Sequence, residues 1–319
     1  MIMKMLRSLS LALALSLCAA PAFAEDGVLN ISYVKSPFNL QMMVMKDQQM
    51  LEKKLAPKGI KVKWHDIDSG AQQATAMASG ALDVGGVLNT TSVQMANGEG
   101  NPVIIIAGAS RPTDVFGLVG QEGASKSFKD LKGKTIAGPK GTVLHQLLVA
   151  GLAKEGLSIR DVKFVQMGIP QGFSALMSGK VDAALIAAGA LVKAEQAGKP
   201  IIATASGLVT PILAMCASQK FIDEQPELLK DVIEVQDAAY DWVMANHDAA
   251  IALGAKEQGI SIEDAQKLYD WSHYTKRLSE ADIKSMDEDL KFLLENGMMR
   301  NSVETRSFIL DSALEPAAK

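Results

Sequence analysis

Apolar and polar positions alternate with a period of two over residues 28–34 and again over 60–67, the pattern of strands with one buried face. Between them, residues 40–55 carry apolar side chains at helical spacing among strong helix formers and predict a single helix. The turn Asp68-Ser69-Gly70 precedes a helix over 71–79. A short apolar strand over 82–88, containing Gly85 and Gly86, then leads to Asn89-Thr90-Thr91, where the next helix begins. Strands over 102–107 and 115–119, separated by a loop at 110–114, close a first cycle. A second cycle opens near Ser127, with strands over 134–137, 162–167, 181–187 and 200–205 and helices over 143–155, 173–178 and 189–197. Such alternation of β and α elements means parallel sheets wound with helices. After Ser218 the pattern turns to amphipathic helices over 226–246 and 248–258, then to helices opened by Ser261-Ile262-Glu263-Asp264 and by Ser279-Glu280-Ala281-Asp282.

The cycles share a sub-pattern. Ala76-Met77-Ala78-Ser79-Gly80-Ala81-Leu82-Asp83-Val84 returns as Ala175-Leu176-Met177-Ser178-Gly179-Lys180-Val181-Asp182-Ala183. Each reads as a helix, a Ser-Gly stop with glycine in the left-handed cap position, and an aspartate entering a strand. One recurrence is too sparse for a solenoid and fits two lobes of similar topology. The expected division is residues 25–120 with 208–319 in lobe 1, the C-terminal helices covering it, and 121–207 in lobe 2, the chain crossing near 118–127 and returning near 207–211.

Composition narrows the class. Residues 1–24 have a basic start (Lys4, Arg7), an apolar run over 11–17 and Ala22-Phe23-Ala24, a secretory signal expected to be cleaved after Ala24. Met1 and Met3 both serve as candidate starts, and Cys18, after the poorly suited Leu17, is a weak lipid-anchor position. Formal net charge is −4, and removing Lys4 and Arg7 makes it more acidic, which argues against a nucleic-acid partner. Cleavage would leave Cys216 as the sole cysteine, in the apolar run 211–217 and expected as a buried small hydrophobe. The scattered histidines show no metal-ligand spacing, so no cofactor or metal is expected, and His145 reads as a packing or rim residue. Met42, Met43, Met45 and Met50 read as core on helix 40–55.

Chemistry concentrates at helix starts. Gly70-Ala71 and Asn89-Thr90-Thr91 would open two helices on one sheet edge, presenting free N–H groups and positive dipole ends to a small anion. Thr90 and Thr91 either donate hydroxyls to that anion or, with Asn89, cap the helix. Thr142 stands at a corresponding helix start in the second cycle. Phe38 either packs over a ligand or staples onto the helix at Leu40. Arg111 either forks a carboxylate or sulfonate or pairs with Asp114. Lys140 reads as a solvated loop lysine.

The chain resembles the periplasmic solute-binding proteins of ABC importers, of the nitrate/sulfonate/taurine type related to thiamine-precursor binders. The resemblance rests on Ile31-Ser32-Tyr33 with Ser36-Pro37, Gly70, 78–85, Leu131-Lys132-Gly133-Lys134-Thr135-Ile136-Ala137, Lys140-Gly141-Thr142 with His145, and 179–183. It implies an α/β fold of two doubly wound lobes, type II in style, closing by hinge motion on a small organic anion, and a monomer that delivers it to an inner-membrane ABC permease. Carried over by position, the pocket would draw on Ser36, Phe38, Asn39, Gly70, Ala71, Asn89, Thr90, Thr91 and Arg111 from one lobe. The other would supply Gly141, Thr142, Gln171 and Ala188. Where sulfonate binders of this type often carry a Trp-Asp-Pro-like segment, this sequence reads Ile186-Ala187-Ala188-Gly189-Ala190, which implies a smoother, roomier wall and counts against a taurine-like ligand. The other readings are a binder of a thiamine-type pyrimidine, a sensor subunit, and a pyrimidine-synthase-like enzyme on the same fold. No nucleophile elbow or His/Asp motif supports the enzyme.

Overall fold

The computed structural model describes residues 27–124 and 126–316, so the expected signal segment lies outside the described residues. Strands β1 (Val28–Tyr33), β2 (Lys61–Asp66), β3 (Val84–Asn89) and β4 (Val103–Ser110) belong to one sheet. Strands β5 (Phe116–Gly120), β6 (Thr135–Gly138), β7 (Lys163–Gln166), β8 (Ala183–Ala187) and β9 (Ile201–Thr204) form a second. The last strand, β10 (Leu213–Ser218), returns to the first, giving the orders β2-β1-β3-β10-β4 and β7-β6-β8-β5-β9. Each sheet is mainly parallel, with one antiparallel insertion, β10 between β3 and β4 and β5 between β8 and β9.

This corrects the division expected from sequence. Phe116–Gly120 pairs with β8 and β9, so it belongs to the second lobe and the crossing falls at 111–115, before the strand. The apolar run fits either sheet by pattern; only its partners decide which one it joins. A second correction concerns helix 40–55. It is two helices, α1 (Leu40–Asp47) and α2 (Met50–Leu55), broken where Gln49 adopts a left-handed φ of 53°. The break turns Leu51 and Leu55 into the same core that receives Met42, Met43 and Met45.

Helices α3 (Gly70–Ala78) and α4 (Thr90–Gly98) flank the first sheet, and α5 (Val143–Lys154), α6 (Ile169–Met177) and α7 (Gly189–Gln196) the second. The C-terminal run comprises α8 (Gln219–Glu224), α9 (Pro226–Ala245), α10 (His247–Gln258), α11 (Ile262–Ser272) and α12 (Glu280–Glu295). It covers the first lobe: α9 and α10 pack on α1, and α12 on α4. Close approach is enforced at Gly254 of α10, where an added Cβ would lie 2.3 Å from the Phe38 ring.

The recurring sequence has a structural meaning. Gly80 and Gly179 take φ of 75° and 70° and end α3 and α6. Asp83 Oδ2 then accepts the Asn30 N–H at 2.8 Å, and Asp182 Oδ2 accepts the Thr135 N–H at 2.8 Å. In each lobe the aspartate satisfies a backbone donor of the neighbouring parallel strand, within β1 at Asn30 and at the first residue of β6, and so helps to fix its register. Asp83→Ala is expected to cost about 1–3 kcal/mol by stranding a half-buried donor. Asp182→Ala is expected to cost less, because its side chain is 44% exposed and water replaces it. Urea unfolding of the two variants checks the order.

Candidate functional site

Between the sheets, at the carboxyl ends of the parallel strands, lies a cavity of about 30 Å³. Four helices begin on its wall. Gly70 opens α3, Asn89 caps α4, Thr142 caps α5 with Val143 following, and Ile169 opens α6. The first turn of each leaves N–H groups without intrahelical acceptors, and the dipoles add positive potential at one point. Val34, Pro37, Val87, Phe116, Leu144 and Leu213 complete an apolar lining. Asp68 is the single formally charged side chain among the lining residues. It also lines a groove leading outward past Lys35, Phe173 and Glu257. Asp68 is itself solvent-exposed; partial desolvation, with Asp66 alongside, raises its carboxyl above the ordinary range, while Lys35 pulls it back.

The lobes touch at this seam. Asn89 Oδ1 accepts from Ser92 N at 2.9 Å and from Val143 N, across the seam, at 3.2 Å. Ser92 Oγ lies 3.0 Å from Asn89 Oδ1 and 2.8 Å from Gly141 O, and its one proton serves one of them. Thr91 Oγ1 donates to Gln146 Oε1 at 2.6 Å, and Gln146 Nε2 donates to Asp289 Oδ1 of α12 at 2.6 Å. Burial pushes the Asp289 carboxyl up to about 6, against the Gln146 hydrogen bond.

The structure brings Ser36, Gly70, Asn89 and Thr142 to the cavity wall. Thr142 Oγ1 donates to Pro139 O at 2.8 Å, which orients the α5 start. Ala71 and Gly141 line an adjoining groove with Met95 and Lys140 instead. Thr90 is buried, its N–H bound to Ile212 O, and Thr91 is occupied by Gln146, so neither lines the cavity.

Five expected residues have other roles. Phe38 is 1% exposed in the core, its ring against Gly254 of α10, so it does not face the cavity. Asn39 Nδ2 donates to Val34 O and braces the loop. Arg111 forks Asp282 with contacts of 2.5–3.0 Å, and Asp114, its expected partner, accepts from Thr204. Gln171 is exposed on the first turn of α6. Ala188 is fully buried with φ 49°, and the Ser36 hydroxyl donates to its neighbour Ala187 O at 3.3 Å. Of the wall expected to be roomy, 186–189 is buried, while Ala190 lines the outer groove with Ser36 and Phe173.

Sequence reasoning missed Asp68, Phe116, Leu144 and Ile169 as lining. Asp68 was visible as turn chemistry adjoining Gly70; the apolar members look like any core residue. Cys216 is fully buried in β10 and burial raises its thiol pKa, so it is no nucleophile.

Two lobes that meet over a cavity ringed by helix starts define a bilobal periplasmic-binding-protein fold. The chain belongs to the family described as NMT1/THI5 like, whose model matches residues 55–250. A Brucella abortus relative carrying the name binding protein is 28% identical over 261 residues, covering 80% of this chain and 79% of its own. The taurine-binding periplasmic protein of Escherichia coli is 30% identical over 195 residues, 60% of each chain. Among solved structures, the alkanesulfonate-binding protein of Xanthomonas axonopodis pv. citri bound to MOPS superposes with a TM-score of 0.77 at 20% identity, covering 90% of this chain and 99% of that one. At that identity the likeness speaks for the fold.

Arg111→Ala is expected to lower stability by about 1–3 kcal/mol, below the full cost of breaking a buried pair because Arg111 is 31% exposed. Burial raises the Asp282 carboxyl, but the Arg111 fork and the Ser279 hydrogen bonds outweigh it and hold the pKa below the usual range. Its stabilising contribution is therefore present above the unfolded pKa and lost as pH falls through the folded one. Thermal melts of wild type and variant should converge in acid, and ligand affinity should be unchanged at neutral pH.

Proposed function

We propose that this chain is the periplasmic solute-binding subunit of an ABC importer and that its ligand is a small organic sulfonate bearing an amine. The observation that carries this reading is the convergence of four helix N-termini on a cavity whose one formal charge is Asp68. Backbone N–H groups and dipoles favour an oxyanion there without any cation on the wall. A carboxylate on the same wall disfavours a plain anion and favours one with an ammonium at the other end. The name of the taurine-binding relative agrees with that chemistry. The missing Trp-Asp-Pro-like segment counts against taurine-like ligands only while no other carboxylate is present, and Asp68 supplies one from the opposite lobe. The protein acts as a monomer, exported by its N-terminal segment, and the closed form is what an inner-membrane permease engages. Its role is binding, as in the relatives named above, and not catalysis.

Because the cavity is small, the lobes part by hinge motion at the crossings near 111–115 and 205–212 to admit the ligand and close again over it. Taurine should raise the melting temperature more than ethanesulfonate, ethylamine or acetate in a thermal-shift screen. Asp68→Asn should weaken taurine at least tenfold and tighten ethanesulfonate. Lowering pH through the raised Asp68 pKa should act in the same two directions, because protonation removes the charge that holds the ammonium and repels the plain anion. A thiamine-type pyrimidine that outranks every sulfonate would overturn the reading.

A further inference from the structure

Asn89 makes one contact that helix capping does not require. A cap needs only the Ser92 N–H of its own helix. The Asn89 side chain also receives the N–H of Val143, the first residue of α5 in the opposing lobe. Both Ser92 N and Val143 N are donors, so the atom between them is the amide oxygen and not the nitrogen. Asn89 is a cavity-lining residue, and its oxygen collects N–H groups from helix starts of both lobes.

We infer that the Asn89 carbonyl stands in for the ligand's anionic oxygen. In the unliganded protein it bridges the two helix ends and holds the lobes together. An arriving oxyanion takes the Val143 N–H in its place. The exchange is favourable because hydrogen bonds to a full negative charge are roughly twice as strong as those to a neutral carbonyl. Other seam contacts, among them Thr91 to Gln146, Gln146 to Asp289, Ser92 to Gly141 and Ser36 to Ala187, do not use the Val143 N–H and re-form when the lobes close over the anion. Asn89 is thus a positioning residue that sets both unliganded closure and affinity. The inference deepens the anion reading above and rests on it.

Two substitutions separate the bridge from the cap. Asn89→Ser keeps a hydroxyl for Ser92 N but is too short to span the seam. Asn89→Asp keeps the shape and adds a charge that holds both helix ends more strongly. Small-angle scattering on unliganded protein, and calorimetric titration with methanesulfonate, sulfate and acetate as probes, read the two effects. Asn89→Ser should enlarge the unliganded radius of gyration and raise anion affinity a fewfold, because the internal competitor is gone. Asn89→Asp should leave the unliganded protein as compact as wild type and lower anion affinity at least tenfold. An Asn89→Ser protein with unchanged scattering and lowered affinity would overturn the inference and make Asn89 a direct donor to the ligand. An Asn89→Asp protein that binds the probes as wild type does would overturn it too. If wild type binds none of the three anions, the functional reading fails, and the scattering comparison alone still decides whether Asn89 holds the lobes.

Discussion

The backbone N–H groups at the starts of α3, α4, α5 and α6 are the constraint to which the rest of the structure answers. Parallel strands followed directly by helices leave these donors at the carboxyl edge of each sheet, where nothing within the helix can accept them. Placing two such edges face to face concentrates the donors around one small space. Beyond the polar helix-start residues, and apart from Ser36 and Asp68, the rest of the lining is apolar, Val34, Val87, Phe116, Val143, Leu144, Ile169 and Leu213 among it, which limits the screening of the dipoles by water. The antiparallel strands β5 and β10 follow from the same geometry. They return the chain between the lobes without adding a helix start at the seam.

This arrangement explains why the cations that sequence placed near the site are not used there. Arg111 stands one residue beyond β4, close enough in sequence for a ligand role. Its fork is committed to Asp282 in the capping turn of α12, and it thereby fastens the C-terminal cover to the first sheet. Asp282 is buried and accepts from both Arg111 and Ser279, so releasing Arg111 to a ligand would leave an uncompensated carboxylate. Lys140 lies in the outer grooves and not on the central cavity. Recognition by dipoles needs no desolvated cation in the empty state, which suits a cleft that must open to water and close again.

How much of this was legible in sequence depends on the kind of signal. The two-lobed plan was legible because Gly80 with Asp83 and Gly179 with Asp182 do the same backbone work twice, and backbone work leaves fixed residue types at fixed spacing. Gly70, Asn89 and Thr142 were legible for the same reason, as helix-start residues. Phe38, Asn39 and Gln171 were not, because loop proximity says nothing about where a side chain turns. Phe38 goes inward because Gly254, 216 positions later, leaves room for its ring. The lobe of β5 was illegible for a related reason: an apolar run states that it will be buried, not against what.

Asp68 shows where local and global readings have to be combined. Locally it belongs to a turn, Asp-Ser-Gly, whose purpose is to start α3. A carboxylate just before a helix N-terminus is ordinarily stabilised by the dipole. Here partial desolvation and Asp66 press the other way and leave it with a raised pKa. The solvent-exposed carboxylate thus stands at the edge of a cavity that otherwise attracts anions. The N-cap of α3 is Ser69, so starting the helix does not itself call for a carboxylate at Asp68. Under the proposed reading, that carboxylate is complemented by a positive charge that arrives with the ligand.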